Sequence, residues 1–375
     1  MSGSIVCPTI VGNSMRLVLI NLAVFVQLLL LANIVAGFFI DVTANPAAMD
    51  GERRIATPAY TDKNSARKFF RDFARTKAAF SSYDEMRREP FASETINIDQ
   101  DGLRVTPGGP ANPTRLLSLF GGSTMWGTGV DDAHTIPALV QRLYPDAAVV
   151  NYGQSAFVSA QNRAALLKRL SLGEPVGTAV FYDGINDILH LCQAGIPLDG
   201  HAFTYFLEQA VRLYRDQELG VSERTWTATV GNLVRLAQQL TGAEVRQAVN
   251  LDEVKGSRCS DSAAVDAIAD ILWRNWMSAK LLVEASGGRF VAILQPVSSV
   301  GKPRREYLPP QPEWDLRYNQ AYDRIRSHIK SEGERWAYDF SAAFDGDEAL
   351  YIDSFHVSPR GNEIIAERIA EILGH

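Results

Sequence analysis

The sequence predicts an α/β fold: a five-stranded parallel sheet with helices on both faces, a helical insertion between its third and fourth strands, and an N-terminal transmembrane helix. Three observations predict it. From residue 115 onward, short continuous apolar runs alternate with helical patterns, as expected of strands buried on both faces by crossover helices. The interval between the third and fourth runs is too long for one crossover helix. Residues 17–40 form a stretch without formal charge.

Residues 1–16 read as a short tail, in which Cys7 is a free thiol or a lipidation candidate. Residues 17–40, LVLINLAVFVQLLLLANIVAGFFI, follow. As a helix they would span about 36 Å, enough for a hydrocarbon core of about 30 Å. Asn21, Gln27 and Asn33 recur every six residues. Six residues turn a helix by about 600°, so the three amides point in different directions. That spacing gives no polar stripe and argues against a helix lying flat on a membrane surface. The segment reads as an uncleaved signal anchor. The competing reading is a cleaved signal peptide, with Val42 and Ala44 as its small-residue cleavage site.

Residues 41–114 read as a linker, an amphipathic helix and a hairpin. Residues 41–60 carry Pro46, Gly51 and Pro58. Residues 61–83 look helical, with Phe69, Phe73 and Phe80 among basic side chains. The segment reads as an amphipathic helix packed on the main domain, and its basic face could also lie against anionic lipid. Residues 94–106 alternate around Asp101-Gly102, a hairpin signal. The run PGGPANP at 107–113 marks a boundary.

The main domain is expected over 115–375. Its apolar runs are residues 116–120, 147–152, 178–182, 290–297 and 336–340, with helices at 136–143 and 160–170. Helical patterns at 202–214, 227–240 and 263–284 are assigned to the insertion, about 190–285, as a cap over the sheet. A net charge of −6 excludes the broad basic face of a nucleic-acid binder. Three cysteines match neither a disulfide scaffold nor a zinc pattern. No cluster of acids and histidines suggests a metal, and no cofactor motif is present.

Open parallel sheets bind ligands beyond the carboxyl ends of their strands. Phe120-Gly121-Gly122-Ser123-Thr124 follows the first apolar run, Asn151-Tyr152-Gly153-Gln154-Ser155 the second, and Asp183-Gly184-Ile185-Asn186-Asp187 the third. Near the C-terminus stands Asp353-Ser354-Phe355-His356. Each tetrapeptide alone also reads as a turn or a helix cap. In this order and at these places they resemble the SGNH (GDSL-like) hydrolase family. The resemblance runs from about Arg115 to the C-terminus, interrupted by the insertion. It departs from the name-giving motif, because Gly122 replaces its Asp and Thr124 its Leu.

The resemblance implies a flavodoxin-like three-layer sandwich. It also implies a catalytic triad, with Ser123 as nucleophile, His356 as general base and Asp353 orienting the imidazole. The implied oxyanion hole comprises the N–H groups of Ser123 and Gly153 and the side chain of Asn186. A serine hydroxyl needs such a base, the base needs a fixed tautomer, and the tetrahedral intermediate needs donors aimed at its oxygen. Asp187 reads as structural. His190, one helical turn after Asn186, and Trp126 are each either pocket wall or core. Three activities follow: an esterase acting on O-acyl groups of a carbohydrate, cell-envelope or lipid substrate, an O-acyltransferase in envelope polysaccharide assembly, or a non-catalytic glycan- or partner-binding scaffold.

Cys192 and Cys259 both fall in the insertion. They form either a disulfide clipping it to the rim of the site or two buried thiols. A disulfide requires an oxidising compartment, consistent with a catalytic domain on the periplasmic or extracellular side of a single membrane span.

Overall fold

The computed structural model describes residues 8–43, 52–198, 257–332 and 335–374, together with 200, 203, 204, 207, 233 and 237. The chain divides into two compact units. One comprises residues 1–48 with 209–251, and the other residues 49–208 with 252–375.

In the first unit, α1 spans Pro8–Thr43. Its stretch Arg16–Ala36, with mean hydropathy 2.5, is long and apolar enough to cross a membrane, a test that a signal sequence also passes. Its apolar side chains from Leu17 to Val35 are exposed, except half-buried Leu29. Asn33 is buried, and its Oδ1 accepts the Leu233 N–H at 3.2 Å. Cys7 and most of the helices expected at 202–214 and 227–240 lie outside the described residues.

The second unit begins with a 3₁₀ turn at Arg53–Ala56 and α2 at Lys63–Phe73. The Asp62 carboxylate caps α2 by accepting the Asn64 and Ser65 N–H groups. The helix expected over 61–83 therefore ends ten residues early. β1 (Ala78–Ser81) and β2 (Glu85–Arg88) follow as an antiparallel hairpin. Tyr83 and Glu85 take positive φ of 74° and 67° at its tip. Phe80 fits the helical period, but its backbone pairs with Met86 and its ring is exposed. β3 (Phe91–Ala92) pairs with β4 (Asn97–Ile98). The turn expected at Asp101-Gly102 is present. Gly102 has φ 74°, its N–H donates to the Asp99 carbonyl, and Ile98 bridges Arg104.

Of the expected linker 41–60, residues 41–43 end α1, 44–51 lie outside the described residues, and 52–60 pack on the main domain. Ile55, Ala59, Tyr60, Phe69, Phe70, Ile96 and Ile98 form a core with Trp126 and Ile352 of the main domain. Fully buried Arg104 ties them together. It pairs with Asp132 at 2.7 Å and donates to the carbonyls of Thr95, Trp126, Gly127 and Val130.

The remaining elements are β5 (Arg115–Gly121), α3 (Ser123–Trp126), α4 (Ile136–Leu143), β6 (Ala147–Asn151), α5 (Ser159–Ser171), β7 (Thr178–Asp183), α6 (Ile185–Leu191), α7 (Ser262–Ala285), β8 (Arg289–Leu294), α8 (Pro312–Glu332), β9 (Ala337–Asp339) and α9 (Pro359–Leu373). The five strands β5 to β9 form one parallel sheet in the order β6-β5-β7-β8-β9. Alternate residues feed opposite faces. Phe120, Ala179 and Phe181 pack with α5, α7 and α8, whereas Leu117, Leu119, Val180 and Tyr182 pack with α4 and α9. This is the three-layer α/β arrangement expected.

Helix α7 corrects the expected insertion. Its Ile268, Leu272 and Trp276 are buried in the sheet core, so it is the crossover helix from β7 to β8 and not part of a cap. The insertion narrows to the segment between Gln193 and Ser257, which bridge each other. Cys192 and Cys259 are joined as a disulfide at its base, with Cα atoms 5.1 Å apart.

Candidate active site

Strand β5 ends at Gly121, and Gly122 follows as the N-cap of α3, both closely approached by neighbours. A Cβ on Gly121 would lie 2.7 Å from the Met125 Cβ, and one on Gly122 would lie 2.4 Å from the Asn186 Nδ2. The chain turns there, and Ser123 becomes the first residue of α3. The Ser123 Oγ lies 2.7 Å from the His356 Nε2, and the His356 Nδ1 lies 2.8 Å from an Asp353 oxygen. Ser123 and His356 are 233 residues apart in sequence, joined by the loop between β9 and α9.

The Asp353–His356 turn is self-locking. The Asp353 Oδ1 accepts the N–H of Phe355 at 2.9 Å and of His356 at 2.7 Å. Burial alone would raise the Asp353 pKa, but the His356 charge and these hydrogen bonds outweigh it and hold it at about 2. An ionised carboxylate only accepts. The Nδ1 of a neutral His356 therefore carries the ring proton, and its Nε2 lone pair faces the serine hydroxyl. Arg54 stands 3.7 Å from the Asp353 Oδ2 and pairs in a bidentate manner with Glu52.

Asn186, at the start of α6, follows Gly184, whose φ of 128° is open to glycine alone. The Asn186 Nδ2 donates to the Phe157 carbonyl at 2.9 Å, which leaves its second hydrogen available. Gly153 is not part of this wall. Its N–H donates to the Asn151 Oδ1 at 3.0 Å, and a Cβ there would meet the Trp126 backbone nitrogen at 2.5 Å. The glycine admits the α3 backbone, not a substrate. Ala156, three residues on, lines the cavity with φ 62°. Its N–H makes no hydrogen bond among the described residues. A left-handed alanine leaves no mark in a sequence, so the reading of this loop fell on the visible glycine.

The cavity holds about 290 Å³ and is lined by Ser123, Thr124, Ala156, Asn186, Gln295, Phe355 and His356. His190 lines it as well. Trp126 does not, being fully buried against Phe73. Arg54, Phe73 and Arg88 line it too, residues that precede the sheet and were not expected at the site.

Two buried carboxylates stand behind the Asn186 loop. Asp183 accepts from Asn162 at 2.6 Å and from the Trp276 indole at 2.8 Å. Asp187 accepts from the Ser159 hydroxyl at 2.5 Å and from the Ser159 N–H at 3.1 Å, the structural role expected of it. Burial pushes both pKa values up, and the charge of Asp187 adds to the rise at Asp183.

No protein-family model and no curated protein matches the sequence. Among solved structures, the chain is similar to a member of the lipolytic protein G-D-S-L family from Veillonella parvula, at 10% identity and a TM-score of 0.37, over 68% of this chain and 97% of that one. It is similar to a carbohydrate acetylesterase family member from Sinorhizobium meliloti at 13% identity and a TM-score of 0.35, over 70% and 100%. It is also similar to the aryl esterase of M. smegmatis at 11% identity and a TM-score of 0.38, over 69% and 98%.

Proposed function

We propose that the chain is a serine esterase of SGNH type, cleaving O-acyl esters through an acyl-Ser123 intermediate. The observation that carries this reading is the unbroken chain from the Ser123 hydroxyl through His356 to Asp353, at 2.7 and 2.8 Å, at the carboxyl end of a parallel sheet. His356 takes the hydroxyl proton as Ser123 attacks the ester carbonyl, then gives it to the departing alkoxide. The Ser123 and Ala156 N–H groups and the Asn186 amide donate to the tetrahedral oxyanion. Water, activated by His356, then releases the acid and restores the serine. A cavity of about 290 Å³ suits a short acyl group and the adjoining part of its alcohol. The substrate class is an acylated carbohydrate or cell-envelope component. Residues 17–40 anchor the domain to a membrane, and the Cys192–Cys259 disulfide, a bond that persists in oxidising compartments, supports a position outside the cytoplasm.

Intact-mass analysis after treatment with a serine-directed phosphonate is expected to show one adduct, mapping to Ser123. Ser123→Ala and His356→Ala should each lower turnover of a small acyl ester by roughly 10⁴-fold or more. Turnover near the wild-type level in either variant refutes the assignment.

A further inference from the structure

Resting on that reading, we infer that Arg88 makes the site selective for esters carrying an anionic group, such as a carboxylate, beside the scissile bond. The arginines around the cavity differ in their partners. Arg54 is matched by Glu52 and Asp353, and Arg104 by Asp132. Arg88, at the end of β2, lines the cavity with neutral partners only. It donates to the Thr76 hydroxyl and, at 2.8 Å, to the Ser155 hydroxyl, and its guanidinium lies 4.7 Å from the centres of the Phe73 and Trp126 rings. Among the described residues no carboxylate pairs with it, and its Nε–H is buried without a partner. Among the described residues no Asp or Glu lines the cavity.

A guanidinium taken partly out of water and left without a counter-charge is expensive. Burial, helped by the charge of Arg104, lowers its pKa to about 10, so it stays charged at neutral pH. The two rings and two hydroxyls hold the fork in a fixed pose. Ser155 sets that pose next to Ala156, on the oxyanion side of Ser123. An anionic group on the substrate would supply the missing partner through charge-assisted hydrogen bonds, at a point fixed relative to the reacting carbonyl.

The test compares kcat/KM for two matched pairs, using the full chain in detergent. An O-acetylated methyl glucuronoside against the corresponding glucoside places the charge on the alcohol. A succinate half-ester against the butyrate ester of the same alcohol places it on the acyl group. Wild type should prefer the charged member of one pair by roughly ten- to hundredfold, and the preference should shrink as salt rises from roughly 0.01 M to 0.15 M. Arg88→Met should bring the ratio close to one, and Arg88→Lys should leave it between the two. Absence of any preference in wild type overturns the proposal, as does a preference that survives Arg88→Met. If Arg88→Met no longer takes the phosphonate label, the salt response and Arg88→Lys decide the matter. A preference indifferent to both overturns the proposal. If the wild type neither labels nor cleaves any of these esters, the esterase reading has failed. Ligand-observed NMR of methyl glucuronoside and succinate against uncharged analogues then decides on anion binding, and equal weak binding overturns it.

Discussion

At the scale of single residues, the candidate triad was legible because its members carry rare chemistry at fixed places. Hydrogen bonds join Ser123, His356 and Asp353 in sequence, and Asn186 lines the same cavity. Gly153 shows the opposite case. A glycine after a strand signals close approach without saying what approaches, and here the neighbour is the α3 backbone. The two positions should separate under mutation. Asn186→Ala should lower kcat roughly 100- to 1000-fold with thermal stability nearly kept. Gly153→Ala should destabilise the fold by roughly 1–3 kcal/mol through overpacking against Trp126. Thermal melts alongside kinetics check both. An Asn186→Ala enzyme that keeps full kcat removes that amide from the oxyanion hole.

At the scale of elements, the strands and most described helix ends were legible, and one helix was expected ten residues too long. A buried parallel strand is a short apolar run bounded by turns, and all five were found within three residues of their observed ends. The overlong helix came from Phe80, whose spacing from Phe73 matches two helical turns although its backbone belongs to a hairpin. Helix α7 was misplaced because its apolar face looks the same on a cap as on a sheet. The junction of β7 and α6 carries a prediction of its own. Asp183 and Asp187 are harder to ionise in the fold than in the unfolded chain, where an Asp titrates near 3.9. The native state therefore holds more protons between pH of about 4 and about 8, and stability contributed at this junction declines as pH rises through that window. Asp187→Asn should flatten the fall of Tm with pH, and an unchanged slope would count against it. The disulfide belongs to the same scale. It closes a separation of 67 residues, worth about 4 kcal/mol in the chain-entropy model. Denaturation with and without reductant should differ by that order, and a free-thiol count unmoved by reductant would exclude the bond.

At the scale of the molecule, the α/β architecture and the uncharged N-terminal helix were both apparent from hydrophobic pattern alone. The role of residues 52–104 was not, because packing between distant segments leaves no periodic trace. Arg54, Phe73 and Arg88 share a cavity with Phe355 and His356 near the other end of the chain. That arrangement bears on how the protein comes to be active. Contacts between remote segments form late, since the intervening chain must be ordered first. Synthesis delivers the Arg88 wall before the sheet and the Asp353–His356 turn after it. The cavity can therefore close only once the chain has been made through His356. A chain cut short of that turn would carry Ser123 without His356 beside it, and the hydrogen bonds from Ser123 through His356 to Asp353 would form only when folding is complete.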